Sequence, residues 1–563
     1  MQATHRFIFR FRLSLTLGLA LAVSAPSIGA EPLTQLEQAV LKHSLYRDAD
    51  VVRRFQRGVA AQEQGELLRA LSLYQSILAG TSDSIFWDVE PASGAGATVD
   101  PLAASRRSFR SVRQEVRRRL EELIEADPAL YERTQEREAE FLLNEARETG
   151  NQATLEEVVR RFFETRAGFR AVEQLATQCL DQNSPEQAAR LLQRLVGSRV
   201  HRKRISRSVI VKAGCSLQLC GQHEAAQQLL QQAQQSGVAA AELAGAEEAI
   251  AAATAAFQPK TLSFESRTPY GDVTHNGSGD GTVPWLKPVW SQSYAGHDPF
   301  EALVAWERDR VSDELKEIGT VSASLIVSGQ LIFRDFDGIR SVDPHSGKLL
   351  WRFDNSMSVP RIGRAIETAF YAREDDRVAE LAWFGNAMLG QLTSDGERVF
   401  GVDLLSFDAA DFDSDAAPRS QRDVEARNQL VALDIPAVVA GPTPASPRAP
   451  KIAWRIGGSP GPSAADPLAG HLFLGPPLPV GGVVFAVTES QRELCLVKLE
   501  AATGRVMWIQ RFGLVEQSVF DDEQTHRAMA SYLPAFSDGL VICPTGSGLV
   551  VAVDALFGEI AWA

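Results

Sequence analysis

Three aspartates at alternate positions form the clearest metal-ligand pattern in this sequence. The stretch "FDAADFDSDAAP" contains Asp411, Asp413 and Asp415, and loops that bind hard cations such as Ca²⁺ begin with this spacing. Such a loop also needs glycine at its sixth position and glutamate at its twelfth, which here are Ala416 and Arg422. The pattern therefore favours a solvated acidic insertion, with these aspartates as weak candidates only, and no metal site is predicted.

Histidine, serine and cysteine do not form a catalytic pattern either. The nine histidines are scattered, and H-x-x-E does not occur. No C-x-x-C pair indicates a zinc site or covalently attached haem. Cys215 and Cys220 are five residues apart on a predicted helix. Their side chains are therefore separated by roughly 140° around its axis, which disfavours a bond between them. The other cysteines are Cys179, Cys495 and Cys543. The sequence thus predicts no catalytic residue and leaves any cofactor-binding residue unassigned.

The first thirty residues have the features of an export signal. Arg6, Arg10 and Arg12 precede the apolar run "LSLTLGLALAV", and small residues follow up to Ala30. This order predicts a secretory signal peptide over 1–30, with an uncleaved signal anchor as the alternative. No later stretch is long and apolar enough to span a membrane. The mature protein is expected in the periplasm, in the cell envelope or outside the cell. The net charge of −14 disfavours nucleic-acid partners.

Residues 31–257 have the apolar periodicity of helices, with few strand signals. Within them, "RGVAAQEQGELLRALSLYQSIL" and "AGCSLQLCGQHEAAQQLLQQA" share the offsets of their small and large residues. These offsets resemble the tetratricopeptide repeat, in which paired helices stack into a solenoid that binds peptides or proteins. The alternative is an irregular helical bundle. The residues expected to pack the helices are Gly58, Gly65, Ala70, Tyr74, Gly214, Gly221, Ala226 and Leu230.

Residues 258–284 are rich in glycine, proline and threonine and are predicted to be a linker. From residue 285 onward one ten-residue motif recurs, as "VDPHSGKLLW", "LEAATGRVMW" and "VDALFGEIAW". In each copy an acid ends a β-rich stretch, glycine follows four residues later, and tryptophan follows after four more. A fourth copy is interrupted by insertions. The residues of this structural repeat are Asp343, Gly347, Trp351, Asp434, Trp454, Glu500, Gly504, Trp508, Asp554, Gly558 and Trp562.

Each part of this repeat has a physical role. The acid can accept backbone N–H bonds in a turn, and glycine can adopt the positive φ that closes it. Tryptophan offers a large flat surface that suits a position between neighbouring sheets. A unit of about four short strands cannot bury both of its faces alone, so neighbouring copies must cover it. A radial arrangement of such sheets is a β-propeller.

The acid–x–x–x–Gly–x–x–x–Trp pattern resembles the repeat of pyrroloquinoline quinone (PQQ) dehydrogenases, which also occurs in the non-catalytic propeller of the outer-membrane assembly factor BamB. The dehydrogenases hold PQQ and calcium with a catalytic aspartate, a stacked tryptophan and often a disulfide between adjacent cysteines. This sequence has no Cys-Cys pair, and none of its aspartates or tryptophans can be assigned to those positions. An exported helical-repeat segment before such repeats also resembles large secreted proteins of planctomycete bacteria.

These observations predict a multidomain α-then-β protein. A tetratricopeptide-like solenoid over 31–257 precedes a PQQ-like β-propeller over 285–563, with about four blades and apparently truncated at its C-terminus. A closed ring of four or five blades, and a half propeller completed by another chain, are the alternatives. The expected function is non-enzymatic binding of a protein, or of an envelope polysaccharide, with no cofactor. The other hypotheses are a PQQ- and calcium-dependent alcohol or sugar dehydrogenase and the sensor part of an envelope signalling system.

Overall fold

The computed structural model describes residues 43–87, 109–235, 237–256, 265–275, 288–291, 323–335, 338–354, 391–404, 428–437, 449–458, 466–515, 532–545 and 549–563. The predicted signal peptide, most of the predicted linker and the aspartates at 411, 413 and 415 lie outside these residues. Among the described helices, none combines the length and apolar character needed to cross a membrane.

Helices make up most of the described N-terminal part of the chain. They are Ala49–Glu63 (α1), Leu67–Leu78 (α2), Val112–Ala126 (α3), Pro128–Thr149 (α4), Gln152–Phe162 (α5), Arg166–Asp181 (α6), Pro185–Gly197 (α7), Arg207–Leu219 (α8), His223–Gln235 (α9), Ala240–Leu243 (α10) and Ala246–Ala256 (α11). Local chemistry sets several ends. The Asp48 side chain caps α1, and proline occupies the first turn of α4 and of α7, where its missing N–H costs nothing.

Four tight turns fold the helices into antiparallel pairs. Gly65 joins α1 to α2, Gly150 joins α4 to α5, Asn183 joins α6 to α7, and Gly221 joins α8 to α9, each with positive φ. Glycine takes this conformation without a Cβ penalty, and asparagine tolerates it better than most residues. Side chains from α4 to α11 then form one continuous core. The helical part of the α-then-β prediction is confirmed.

The predicted helix-packing residues fall into three groups. At Gly58 an added Cβ would lie 2.6 Å from the Tyr74 ring, and at Gly214 it would clash with Ile250, so both glycines allow close helix contact. Gly65 and Gly221 instead lie in turns with open space around them. Ala70 and Tyr74 are buried in a separate core formed by residues of α1 to α4. Ala226 is buried in the α4–α11 core, and Leu230 packs against that core.

Three short strands lie inside the region predicted to be helical. They are His43–Leu45 (β1), Ile85–Trp87 (β2) and Phe109–Ser111 (β3). Strand β2 pairs with β3, whereas β1 pairs antiparallel with a strand of the C-terminal part, Val506–Val515. A three-residue strand is too short for a period-two pattern to be visible in the sequence. The N-terminal part thus contributes an edge strand to the β-rich part.

The C-terminal part consists of antiparallel sheets of four or more strands. Sheet I contains Leu325–Val327 (β4), Gln330–Asp335 (β5), Gly338–Val342 (β6) and Leu349–Phe353 (β7). Sheet II contains Thr393–Ser394 (β8), Arg398–Leu404 (β9), Asn428–Asp434 (β10) and Lys451–Gly457 (β11). Sheet III contains Leu472–Phe473 (β12), Leu478–Val480 (β13), Val483–Ser490 (β14), Glu493–Glu500 (β15) and Val506–Val515 (β16), with β1 at its edge. Sheet IV contains Ala535–Ser537 (β17), Leu540–Pro544 (β18), Val550–Asp554 (β19) and Ile560–Trp562 (β20).

Consecutive sheets pack face to face, with a separate apolar core between each pair. Sheets I and II share the core around Trp351, sheets II and III share the core around Trp454, and sheets III and IV share the core around Phe512. Strands that are buried on both faces, such as β14 and β15, show continuous apolar runs rather than alternation. Antiparallel sheets after a helical region are what the sequence predicted.

Glycine substitutions in sheet III provide a first prediction. Gly482 and Gly504 both have positive φ, but an added Cβ would meet nothing at Gly482 and would lie 2.7 Å from Trp454 at Gly504. Backbone strain of about 1–2 kcal/mol applies to both, and overpacking adds about 1–3 kcal/mol only at Gly504. We expect Gly504→Ala to lower the free energy of unfolding by that additional amount relative to Gly482→Ala. Denaturant titration of the two variants measures the difference, and equal losses would contradict the packing described.

Candidate functional site

The acids of the repeat hold their own turns. Asp343 Oδ1 accepts hydrogen bonds from the backbone N–H groups of His345 and Ser346. Bonds from the Ser346 hydroxyl and then from these backbone groups lower the pKa of Asp343. Asp554 accepts in the same way from the N–H groups two and three residues later. Asp434 differs, because its carboxylate faces Arg398 at 3.5 Å and no glycine follows four residues later.

Each turn glycine lies beneath a tryptophan from earlier in the chain. An added Cβ at Gly347, Gly504 or Gly558 would lie 2.7, 2.7 or 3.2 Å from the indole of Trp290, Trp454 or Trp508, respectively. The three indole N–H groups donate to carbonyl oxygens of the same turns, at Pro344, Ala501 and Leu556. Only glycine leaves room for an indole this close to the backbone. The contacts of Trp454 and Trp508 link sheet II to sheet III and sheet III to sheet IV.

Trp351 reaches the next sheet through a relay. Its indole N–H donates to Gln330 Oε1 at 2.8 Å, and Gln330 Nε2 donates to the carbonyl of Pro436 at 2.9 Å. Pro436 follows Asp434 in the one turn of the repeat that lacks glycine. Here the Gln330 side chain lies between the Trp351 indole and the turn, whereas Trp454 and Trp508 contact their turns directly. Trp562, the last tryptophan of the repeat, lies at the surface, with 44% of its area exposed.

The described residues contain few groups suited to acid–base or nucleophilic chemistry. All five cysteines are free, and burial raises the pKa of Cys179 and of Cys495 to about 12, so both remain thiols at neutral pH. Burial also lowers the pKa of His471. Within the described ranges, no three His, Cys, Asp or Glu side chains lie close enough together to hold a metal ion.

The most elaborate polar arrangement lies where the helices meet sheets III and IV, and we call it the junction. Leu556 and Phe557, from the last repeat turn, insert into the core of the helical part. Ile85, from β2, conversely joins the core between sheets III and IV. Apolar side chains thus cross the boundary in both directions, so the two parts share their cores.

Buried ion pairs and hydrogen bonds surround this apolar contact. Arg117 on α3 forms a two-pronged pair with Glu559, which follows the last repeat turn. Asp83 Oδ2 accepts from the Ser111 hydroxyl at 2.6 Å and from the Ile560 N–H at 3.2 Å. The same Asp83 backbone exchanges two hydrogen bonds with the Gln510 side chain of β16. All of these groups are shielded from water.

Further polar contacts extend the junction along α5 and α7. Arg190 Nε donates to Asp554 Oδ2 at 2.5 Å, so the acid that holds the last repeat turn also holds helix α7. The ammonium group of Lys498 lies 3.6 Å from Glu156 on α5 and 3.5 Å from the carbonyl of Leu556. The junction therefore spans helices α3, α5 and α7 on one side and sheets III and IV on the other.

Neighbouring arginines keep the Glu559 carboxyl group ionised. Burial alone would raise the pKa of its carboxyl, but the attraction of Arg117, and then of Arg113 and Arg194, outweighs burial and lowers this pKa to about 2. Asp83 has the opposite balance, since burial outweighs the attraction of Arg113 and raises its pKa. Removing a single partner would leave a charge without compensation in a dry environment.

Sequence reasoning did not find the junction. Arg117 and Glu559 are 442 residues apart, so no local pattern connects them. One signal was available: Arg113 and Arg117 are four residues apart on the same helix as the buried Val116 and Leu120, where a soluble helix normally presents only apolar side chains to the core. Two arginines within an apolar stripe of a helix indicate that acidic side chains from another part of the chain are buried beside them.

Buried His201 provides a second prediction. Its Nε2 lies 2.7 Å from the carbonyl oxygen of Phe163, and burial, with help from the charges of Arg204 and Arg194, lowers its pKa from 6.5 to about 4. Below pH 6.5, His201 therefore binds a proton in the unfolded chain, whereas in the folded chain it stays neutral until about pH 4. Above pH 6.5 the neutral His201 side chain does not lower the free energy of unfolding. As the pH falls towards 4, this free energy decreases by about 3 kcal/mol because the unfolded chain gains a proton that the folded chain does not.

We expect His201→Gln to flatten the dependence of the free energy of unfolding on pH between 6.5 and 4. Glutamine keeps a donor for Phe163 but does not titrate. Thermal unfolding of both proteins across this pH range measures the effect, and parallel pH profiles would contradict the buried neutral state of His201.

Residues 446–563 match the family model of the outer membrane protein assembly factor BamB. The match covers the last strand of sheet II together with sheets III and IV. The resemblance to PQQ-like repeats is confirmed over these residues, and it supports a β-propeller arrangement of the sheets. No curated protein matches the chain.

Proposed function

We propose that this protein is an exported, non-enzymatic scaffold that binds a protein, or an envelope polysaccharide, through a tetratricopeptide-like helical layer fixed on a PQQ-like propeller. The junction is the observation that carries the proposal. Interfaces between independent domains are usually polar and permit motion, whereas here Leu556, Phe557 and the Arg117–Glu559 pair join the cores of both parts. A rigid composite surface of this kind suits recognition, since a preorganised surface loses less entropy on binding.

The helical layer offers exposed apolar side chains to a partner. Phe141 on α4 is 69% exposed and Leu68 at the start of α2 is 62% exposed. Leu68 lies in an open groove that Asp127 and Leu130, from the start of α4, line on the other side. We propose that a partner protein covers these two side chains and fills the groove beside Leu68. Within the described ranges, no sheet covers either of these two side chains.

Photo-crosslinking in the native host tests the proposal. A photoreactive phenylalanine analogue is placed at Phe141 or at Leu68, and at Glu397 as a control, since the Glu397 side chain is 81% exposed on sheet II. We expect one discrete crosslinked protein partner from the helical positions and none from Glu397. Equal, diffuse crosslinking at all three positions would contradict a binding role for this face.

Two further measurements test the other parts of the proposal. Fusion of residues 1–30 to a reporter that is active only outside the cytoplasm tests export, and an inactive reporter would contradict it. Incubation of the purified protein with PQQ and calcium, followed by a dye-linked alcohol oxidation assay, tests the absence of enzyme activity. Turnover in that assay would favour a quinoprotein dehydrogenase instead.

A further inference from the structure

Residues 265–275 of the predicted linker lie against the inner strands of the sheets, and we call this segment the strap. The inner strands are β4, β8, β13 and β17, each of which pairs with one strand of its own sheet. They lie next to one another, since β4 contacts β8, β8 contacts β13 and β13 contacts β17. A strand that ends a sheet presents backbone N–H and C=O groups on its other side. The strap is therefore placed where it can pair with several sheets.

The first leg of the strap pairs with sheets I and II. Ser266 and Ile326 of β4 exchange both of their backbone hydrogen bonds, each 3.0 Å long, so Ser266 adds an antiparallel bridge to sheet I. The Arg267 carbonyl accepts from the Ser394 N–H of β8 at 2.8 Å. The Arg267 side chain also donates to the carbonyl of Asp395 at 3.1 Å. This leg thus holds the edges of two sheets at once.

The second leg of the strap reaches sheet IV. The Val273 carbonyl accepts from the Phe536 N–H of β17 at 2.8 Å, and the Val273 side chain packs against the core between sheets III and IV. Ile326 and Phe536 are each the middle residue of a three-residue inner strand, and the corresponding residue of β13 in sheet III is Pro479. Proline has no N–H to donate. The three inner strands with an N–H at this edge therefore donate it to the strap, and the fourth has proline.

Backbone bonds, rather than buried side chains, are the main attachment of the strap. Thr268 is buried, but Val273, its apolar contact with a core, is only half-buried. The exposed residues of the strap are Arg267, Tyr270, Asp272 and Thr274. Segments with few buried apolar contacts open at a low free energy, without unfolding of the whole protein. The strap is therefore expected to open locally.

Internal hydrogen bonds give the strap a shape of its own. The Arg267 N–H donates to the Gly271 carbonyl at 3.1 Å, and the Thr268 hydroxyl donates to the Asp272 carbonyl at 2.6 Å. The Asp272 carboxylate in turn accepts from the Thr274 N–H at 2.8 Å. These bonds do not involve the sheets, so they can persist when the strap leaves the inner strands.

We propose that the inner edges of sheets I, II and IV form an acceptor for an extended segment of a partner protein, and that the strap occupies this acceptor in cis until the partner displaces it. The partner segment pairs its backbone with the N–H groups of Ile326, Ser394 and Phe536. Addition of an extended segment to a sheet edge is a common mode of peptide recognition. The strap controls access, because the partner binds only the fraction of molecules in which the strap is open.

A peptide-binding measurement on the full chain tests the proposal. In the acceptor variant, glycine and serine replace residues 265–275 at equal length, and the probe is a fluorescent peptide of the strap sequence, "ESRTPYGDVTH". We expect fluorescence anisotropy to show saturable binding to the acceptor variant. Binding to the wild type is expected to be weaker by about tenfold or more, because its own strap competes at high effective concentration.

The matched control is the same peptide with Ser266→Pro. This peptide lacks the N–H that Ser266 donates to the Ile326 carbonyl, and one such hydrogen bond corresponds to about tenfold in affinity. We therefore expect the Ser266→Pro peptide to bind the acceptor variant about tenfold more weakly than the strap peptide.

Hydrogen–deuterium exchange measures the opening of the strap in the unaltered protein, and it decides the question if circular dichroism shows that the acceptor variant is unfolded. The amides of Ile326, Ser394 and Phe536 are expected to exchange about tenfold faster than those of β14, in the middle of sheet III. The variant Glu265→Ala with Arg267→Ala, which removes the 2.6 Å ion pair of the strap, should speed their exchange further. Tyr270→Ala is its control and should not, since Tyr270 is exposed.

Four results would overturn the proposal. They are a folded acceptor variant that does not bind the strap peptide, equal binding of the Ser266→Pro peptide, equal binding by the wild type, and exchange of the three edge amides no faster than that of β14. The acceptor is a second site beyond the exposed side chains of the helical layer. None of these results affects crosslinking at Phe141 or Leu68, so failure here is distinguishable from failure of the proposed helical binding surface.

Discussion

Replacement of Glu559 by alanine is expected to lower the free energy of unfolding by about 3–5 kcal/mol, the cost of leaving a buried charge without its partner. Arg117 would lose both of its carboxylate contacts and keep a buried guanidinium that cannot lose its proton at any ordinary pH. Urea titration at neutral pH measures the loss. Glu140→Ala is the matched control, because the Arg170–Glu140 pair is exposed on both sides and such pairs contribute at most about 1 kcal/mol.

The pH dependence of this loss has a defined sign. Glu559 has its pKa lowered from 4.5 to about 2 in the folded protein. Its charge therefore stabilises the fold fully above pH 4.5, and that contribution disappears as the pH falls towards 2. The difference between the wild type and Glu559→Ala should narrow over this range. A double variant, Arg117→Met with Glu559→Leu, should recover most of the stability, since an apolar pair leaves no unpaired charge. A double variant no better than Glu559→Ala would contradict the account.

Replacement of Trp454 by alanine is expected to cost about 3–5 kcal/mol. The indole is buried between sheets II and III, lies beside the Phe400 ring and covers Gly504. Its removal leaves a large cavity, and the fixed turn beneath it has little freedom to collapse. Trp454→Phe should cost much less, because it keeps an aromatic ring and loses chiefly the N–H bond to Ala501, worth about 1 kcal/mol.

Trp562→Ala is the matched control for this prediction. It removes the same side chain from the equivalent position of sheet IV, where Trp562 is 44% exposed, so a loss of only about 1 kcal/mol is expected. Thermal unfolding and urea titration of the three variants measure the series. Similar losses at Trp454 and Trp562 would contradict the assignment of one tryptophan to a buried contact and the other to an open face.

Local patterns were enough to predict the repeated elements. The acid, glycine and tryptophan of "LEAATGRVMW" are spaced by the geometry of one turn and one strand, so their roles can be read without knowing the rest of the chain. The helical pairs were predictable for a similar reason, because Gly150, Asn183 and Gly221 mark turns between apolar stripes. In both cases the physics acts over roughly ten to twenty residues.

Contacts between distant segments were not predictable in this way. Strand β1 pairs with β16, more than 450 residues later, and it is only three residues long. The partner of Arg117 depends on how α3 meets the last repeat turn, which no spacing in the sequence specifies. The relay from Trp351 through Gln330 to Pro436 likewise replaces a missing glycine by a side chain that the repeat pattern does not include.

The central claim is that helices and sheets form one folding unit through the junction, and coincident unfolding tests it most directly. Eight of the nine tryptophans lie from Trp285 onward, so tryptophan fluorescence reports mainly on the β-rich part, while far-UV circular dichroism at the helix band reports on the helices. In urea, the account predicts a single coincident transition by both probes for the wild type, and for Glu559→Ala a coincident transition at lower urea. Two separate transitions in the wild type would contradict it.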